Sequence, residues 1–321
     1  MKLLKLLLFY SIMILLFSFC GKSPVNSQID INKEGILFVR NFYELCLMRP
    51  DGSNIQVIGR HGYSRARWSP DKSKIVIAGD YGGFKDVFPI LIMDINGKLH
   101  NRLTWNGIRP LWFHNGDRIL YQEMSHGITG RLYSINIDGT DERLIYQVGD
   151  STSFYLDDVS ASEEYILGFE SFYFRLENGK LSGTDNEIVK IHLETGKKMY
   201  LTDNELNDYA PKFNIDETMI AYFCIDVPGE VTVNNIENVY VMSSDGSNKR
   251  RVTNETMPNE MGPFLAWSPD SKKIAYCKLD YRLFVAPDGS DIFIIDILSG
   301  NVVNLTNTSK DGIYNKVMDW K

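Results

Sequence analysis

Histidine is the side chain best suited to moving protons or holding a transition metal near neutral pH. The chain has five, His61, His100, His114, His126 and His192, scattered with no pair at metal-ligand spacing. No Gly-x-Ser-x-Gly elbow, His-Glu-x-x-His helix or phosphate-cradling glycine loop occurs. Asp30, Asn32, Glu34 and Gly35 imitate the opening of a calcium loop, but its closing acidic ligand would fall on Asn41. Cys46, Cys224 and Cys277 each sit in an apolar run, and an odd number cannot all pair, so they read as small buried hydrophobes. The expectation is a chain with no catalytic residue, no metal and no cofactor.

What remains is recognition chemistry. Tyr81, Phe84, Phe88, Phe172, Tyr173, Phe174, Tyr281 and Phe284, with Arg175, stand among acids that include Asp80, Asp86, Glu170, Glu177, Asp185, Glu230 and Asp280. Aromatics mixed with charges at a rim suit a protein or glycan partner. They fall in four of five irregular connections, residues 78–89, 122–131, 169–187, 224–238 and 277–291, all but the second, and such loops need a rigid scaffold to hold them.

The scaffold is a repeat. Trp267-Ser-Pro-Asp-Ser-Lys-Lys-Ile-Ala-Tyr-Cys277 reads as strand, turn and strand: Pro269 presets the turn, Asp270 and Ser271 can bond their own backbone, and Ile274 and Tyr276 resume a β-type run. Trp68-Ser-Pro-Asp repeats it, and looser copies start at Trp112, Val159 and Phe213, with a bare Trp320 at the end. The six anchors are spaced 44 to 54 residues apart. After each comes a hairpin turn, Asn96-Gly97, Asp138-Gly139, Thr195-Gly196, Asp245-Gly246 or Ser299-Gly300, and then a short strand holding Leu103-Thr104, Leu144-Ile145, Leu201-Thr202, Val252-Thr253 or Leu305-Thr306. Four strands per repeat, with no 3.6-residue apolar period, predict an all-β propeller of four-stranded antiparallel blades, strands A to D. Residues 36–39, 44–48 and 55–58 supply B, C and D without A, while 314–320 supply A alone. The C-terminal strand is therefore expected to complete the N-terminal blade, giving six blades.

The wording of these copies carries a resemblance. Trp-Ser-Pro-Asp followed by Ile-Ala-Tyr, then Val241-Met-Ser-Ser-Asp-Gly246 and Arg251-Val-Thr253, resembles the TolB-type β-propeller repeat over residues 34–321. A family this broad implies a fold more than a function. TolB itself has an α/β module before its propeller, for which residues 1–33 leave no room. Related propellers imply an alternative, a carbohydrate-active or metal-dependent enzyme such as a pectin-fragment lyase with a metal on channel histidines.

Residues 1–19 carry Lys2 and Lys5 and then a largely apolar run from Leu6 to Phe17, the pattern of an export signal and too short to span a bilayer comfortably. Cys20 resembles the lipidated cysteine of bacterial lipoproteins, although Phe19 stands where a small residue is usual. Residues 20–33 then form a lipidated N-terminus and polar tether, and 34–321 one domain. Removing Lys2 and Lys5 takes the net charge from −7 to −9, which disfavours nucleic acid and anionic lipid surfaces. The expected protein is a monomeric, non-enzymatic component of the cell envelope, in periplasm or outer membrane, held there only by its lipid. It would bind a protein or glycan through the variable loops.

Overall fold

The computed structural model describes residues 35–60, 62–79, 88–123, 130–147, 153–175, 181–225, 236–255, 264–280 and 289–321. These form six four-stranded antiparallel sheets, each with its strands in A-B-C-D order. Blade 1 is Asn315–Trp320, Ile36–Arg40, Glu44–Met48 and Gln56–Arg60. Blade 2 is Arg65–Trp68, Lys74–Ala78, Ile90–Asp94 and Leu99–Thr104, and blade 3 is Gly107–Trp112, Arg118–Glu123, Arg131–Asn136 and Arg143–Gln147. Blade 4 takes Ser153–Val159, Tyr165–Arg175, Leu181–His192 and Lys198–Tyr200; blade 5 takes Asn207–Phe213, Met219–Ile225, Glu237–Ser243 and Arg250–Arg251. Blade 6 is Leu265–Trp267, Lys273–Asp280, Gly289–Asp296 and Val302–Asn304.

Each strand A touches the A strands of both neighbouring blades, and these contacts run around the full ring, so the A strands enclose the axis. Blade 1 is closed as the sequence predicts: Ile36 pairs with Trp320, Leu37 with Asp319 and Phe38 with Val317. The core lies between blades. Val76, Ile90, Ile92 and Leu103 of blade 2 meet Trp112, Ile119, Tyr121 and Ile135 of blade 3. Ala221, Phe223, Val239 and Val241 of blade 5 meet Trp267, Ile274, Tyr276 and Ile295 of blade 6. At about 1.5–3 kcal/mol per buried large apolar side chain, no blade buries enough alone, and each is stable only beside its neighbours.

The repeated phrases have identifiable duties. In the A–B turn of blade 2 the Ser69 hydroxyl donates to Asp71 at 2.6 Å and accepts from the Lys74 amide at 2.9 Å, and Ser268, Asp270 and Lys273 repeat this in blade 6. The fourth turn residue takes positive φ in five blades, at Lys72, Gly116, Glu163, Glu217 and Ser271. Blade 4 makes the same turn without Pro-Asp because Ser160 still accepts from the Tyr165 amide at 3.0 Å. Of the C–D glycines, Gly97 (φ 83°) is irreplaceable, since a Cβ there would lie 1.8 Å from the Ile58 carbonyl oxygen of blade 1. The Leu-Thr phrase is a staple: Thr202, Thr253 and Thr306 accept from the strand C amides of Ile188, Val239 and Ile292 at 2.8, 2.9 and 3.0 Å.

One boundary differs from the sequence reading. Residues 169–187 read as an irregular connection, yet strands B and C of blade 4 continue through it as Tyr165–Arg175 and Leu181–His192, with Phe172 opposite Asp185. The strand-forming run Phe172-Tyr173-Phe174 extends the hairpin beyond the length of an average blade. Cys46, Cys224 and Cys277 are buried thiols, none in a disulfide, and burial pushes Cys46 up to about 11 and Cys277 up to about 12.

A candidate binding funnel on the axis

Where each strand A ends and turns toward strand B, the six blades leave a funnel of about 370 Å³ centred on the axis. Its walls hold the anchors Trp68, Trp112, Val159, Phe213, Trp267 and Trp320, with Pro70, Ile215 and Pro269 at the rim. The residue preceding each anchor also lines it: Arg67, Leu111, Asp158, Lys212, Ala266 and Asp319. Alternation along a strand explains this, because the anchor packs between blades while its predecessor turns toward the axis.

The two carboxylates are spent on holding blades together. Asp319 of blade 1 accepts from the Trp68 amide of blade 2 at 3.0 Å and from the Trp320 amide at 3.0 Å. Asp158 of blade 4 accepts from the Phe213 amide of blade 5 at 3.0 Å and pairs with Lys212 at 3.3 Å. Trp112 and Trp267 add indole bonds of 3.1 Å to the Arg67 and Lys212 carbonyls of the preceding blades. Lys321 donates to the Trp68 and Ser69 carbonyls at 3.4 and 3.2 Å.

Arg67 is not spent. It is 8% exposed, and of its five N–H donors one finds an acceptor among the described residues, the Ala66 carbonyl at 3.2 Å. No carboxylate lies within ion-pair distance of it there, and its other donors reach solvent in the funnel. Lys212 stands on the opposite blade. Burial first, and then the Arg67 charge, push its ammonium down to about 8 against the pull of Asp158 and Asp157.

One layer deeper the strands are bulged. Register shifts between Ile108 and Leu111 and between Leu156 and Asp158 put one extra residue in each strand, so that Asp157 and Asp158 both face inward. Asp157 accepts from Arg109 at 2.7 Å and lies 3.8 Å from Arg65, whose guanidinium covers the Phe264 ring at 4.5 Å. Burial, then Arg109, press Arg65 well below the usual guanidinium range. None of these three charged residues lines the funnel.

Of the residues selected from the sequence, those that are described, Phe88 and residues 172–175, lie at the B–C end of their blades, away from the A–B turns. Tyr81, Phe84, Tyr281 and Phe284 fall outside the described residues, as does Cys20. Phe88 is held by bonds from its amide to the Trp105 carbonyl and from the Gly107 amide to its own carbonyl, at 3.1 and 2.9 Å. Phe172 packs on Tyr200, ring centres 6.3 Å apart, and Tyr173, Phe174 and Arg175 continue the same strand. The structure adds Phe42 and Tyr43, about half exposed at the B–C turn of blade 1, where Asn41 and Phe42 both take positive φ. The described histidines do not converge: His100 pairs with Asp94 at 3.3 Å on an outer strand, His192 meets Tyr165, and His114 alone lines the funnel. Among the described residues no group of His, Cys, Asp or Glu is arranged to hold a metal.

Buried acids also gather between blades 4 and 5. Glu187 and Asp208 are buried beside Asp185, and each of the three has one carboxyl oxygen with no hydrogen-bond partner. Burial pushes Glu187 up to about 7, only partly offset by the Asn204 amide and Thr202, with Asp185 and Asp208 adding to the rise. The corresponding acid of blade 6, Asp291, is desolvated too. Yet donors from Asn304, Thr308, Ser309 and Thr306 hold it below the ordinary carboxylate range.

No protein-family profile matches the chain, and no curated protein matches it. Solved structures do. An Agrobacterium tumefaciens protein assigned as TolB superposes with a TM-score of 0.58 at 15% identity, covering 89% of this chain and 98% of that one. TolB from Acinetobacter baumannii gives 0.62 at 13%, covering 91% and 67%. This chain carries a TolB-like propeller. An oligogalacturonate lyase in complex with manganese shares the fold at a TM-score of 0.52 and 17% identity, over 85% of this chain and 73% of that one. At such identities the likeness is one of fold.

Proposed function

We propose that this TolB-like propeller is a non-enzymatic binding protein of the bacterial cell envelope that takes a protein partner at the axial funnel on the A–B turn face. The observation that carries the reading is Arg67, buried in the wall of a cavity of about 370 Å³ with most of its donors unused. A pocket of that size with apolar walls and a few convergent polar groups is the usual form of a binding site. Exposed Ile215 at the rim, with Pro70 and Pro269, gives an apolar edge of the kind a protein partner covers. The envelope location and the anchor rest on residues 1–19 and Cys20.

A second reading keeps the partner on the variable-loop face, and the exposure of Phe42 and Tyr43 favours it. The test is capture from envelope membranes with the wild-type chain and an Ile215→Arg variant as baits. One protein retained by wild type and lost by the variant is the expected result. Equal retention by both moves the partner to the other face, and turnover of oligogalacturonate by the purified chain overturns the non-enzymatic claim. In the same cells a Cys20→Ala chain should leave the membrane fraction; one that fractionates like wild type removes the lipid anchor.

A further inference from the structure

We infer that Asp185, Glu187 and Asp208 form a proton-operated latch that holds the connection between blades 4 and 5, residues 201–208, against strand C of blade 4 and releases it when the proton leaves. The latch is a variant of a clamp found in blades 4, 5 and 6. In each, a polar residue of strand C stands just before the amide that the staple threonine holds, and it accepts from the chain running on to the next blade. In blade 6 it is Asp291, which takes the Thr308 and Ser309 amides at 2.7 and 3.1 Å. In blade 5 it is Asn238, which takes the Glu255 amide at 2.9 Å. In blade 4 it is Glu187, which takes the Asn204 amide at 2.7 Å.

The three clamps differ in what is left over. Both oxygens of Asp291 are taken, Oδ1 by Thr306, Thr308 and Ser309 and Oδ2 by Asn304 and the Ser309 hydroxyl. Asn238 carries no charge. Glu187, 4% exposed, keeps one oxygen with no hydrogen-bond partner, and so do Asp208, 2% exposed, and Asp185. Asn204 ties the first two acids together, its amide on Glu187 and its Nδ2 on Asp208 at 2.8 Å, while the Leu206 amide closes on its Oδ1 at 2.6 Å. Of the neighbouring groups, Asp203 and Glu205 of the connection repel the charge on Asp185, and Lys249 and the Cys224 thiol favour it on Asp208. Glu170, opposite Glu187 across the sheet, is already met by Lys198 and Tyr200. A proton supplies what the group lacks, an O–H donor among acceptor oxygens and one charge fewer, and neighbouring buried carboxylates share a proton rather than all ionise. Among the described residues no acids are arranged to hold a metal, so the ligand is the proton. Asp185 stands opposite Phe172, where the blade 4 hairpin outruns its strand A, so release loosens the foot of that hairpin.

Hydrogen exchange of the full chain at pH 6 and pH 8, read by mass spectrometry and corrected for the intrinsic pH dependence of amide exchange, tests the latch. Residues 201–208 should lose protection about tenfold between the two, because the closed latch keeps its proton up to about pH 7 and the open one only to the ordinary 4.5, which ties opening to pH across that interval. Residues 304–309 are the internal control: Asp291 is held below the ordinary carboxylate range with both oxygens bonded, so their protection should not change. Glu187→Gln keeps an acceptor for the Asn204 amide and puts an N–H donor where the proton sat, so residues 201–208 should stay protected at both pH values. Asp208→Asn should act alike and serves if Glu187→Gln fails to fold. Unchanged protection of 201–208 in wild type, an equal loss at 304–309, or a loss that persists in both variants would each overturn the latch. Protection restored at pH 8 by calcium chloride would overturn it too, by putting a metal in the place of the proton.

Discussion

Deleting residues 314–321 removes eight residues from the end of the chain, and the structure says the loss should be nearly total. Val317, Met318 and Trp320 are buried in strand A of blade 1, whose partner Ile36–Arg40 would be left with an open edge. The Gly35 carbonyl loses the Lys321 amide at 3.1 Å, and the Trp68 amide of blade 2 loses Asp319. Truncating a buried Trp costs about 3–5 kcal/mol and a buried Met about 2–5. Their sum is comparable to the whole stability of a domain, roughly 5–15 kcal/mol. Urea melts of full-length and shortened chains, followed by tryptophan fluorescence, measure it. The shortened chain should unfold with little or no urea. If it stays within about 1 kcal/mol of full length, the ring is not held by this strand and the argument for a shared blade fails.

Three smaller predictions test the local chemistry. Glu187 has a folded pKa of about 7 against an ordinary value of 4.5, so between those pH values the folded state keeps a proton that the unfolded state has lost, and stability falls as pH rises through the window. Glu187→Gln should therefore gain about 1–3 kcal/mol at pH 8 and nothing below pH 4.5, read from urea midpoints at the two pH values; a gain independent of pH refutes the assignment. Ser271 sits at φ 57° with its hydroxyl buried and unpartnered, so Ser271→Gly should stabilise by up to about 1 kcal/mol, and a lowered melting temperature would count against the turn argument. Thr306→Val deprives the Ile292 amide of its acceptor and Asp291 of a 2.8 Å donor, for an expected loss of about 1–3 kcal/mol, where an unchanged midpoint would dismiss the staple.

The ring was legible because its signals are local. Trp-Ser-Pro-Asp places a turn, and Asp-Gly places a hairpin, whatever the rest of the chain does. Even the poor copy at Val159 was found, because Ser160 keeps the hydroxyl that the turn needs. The long hairpin of blade 4 was missed because the average blade length set the limits of its loop. The funnel was illegible for a different reason. Each blade contributes one residue, the one before its anchor, and nothing in Arg67 or Lys212 as single letters tells that ring closure sets them on opposite blades. That position is nonetheless a readable signal: in a propeller the predecessors of the anchors line the axis, and here they read Arg, Leu, Asp, Lys, Ala and Asp. What the letters could not show is that both acids are bound to backbone amides while Arg67 is not.

The most direct measurement of the central claim places a photo-crosslinking amino acid at one of two exposed apolar positions and irradiates intact envelopes. Ile215, 64% exposed, stands at the funnel rim, and Phe42, 51% exposed, stands on the opposite face. The funnel reading predicts a discrete crosslinked partner from Ile215 and none from Phe42. A partner crosslinked from Phe42 alone would contradict it.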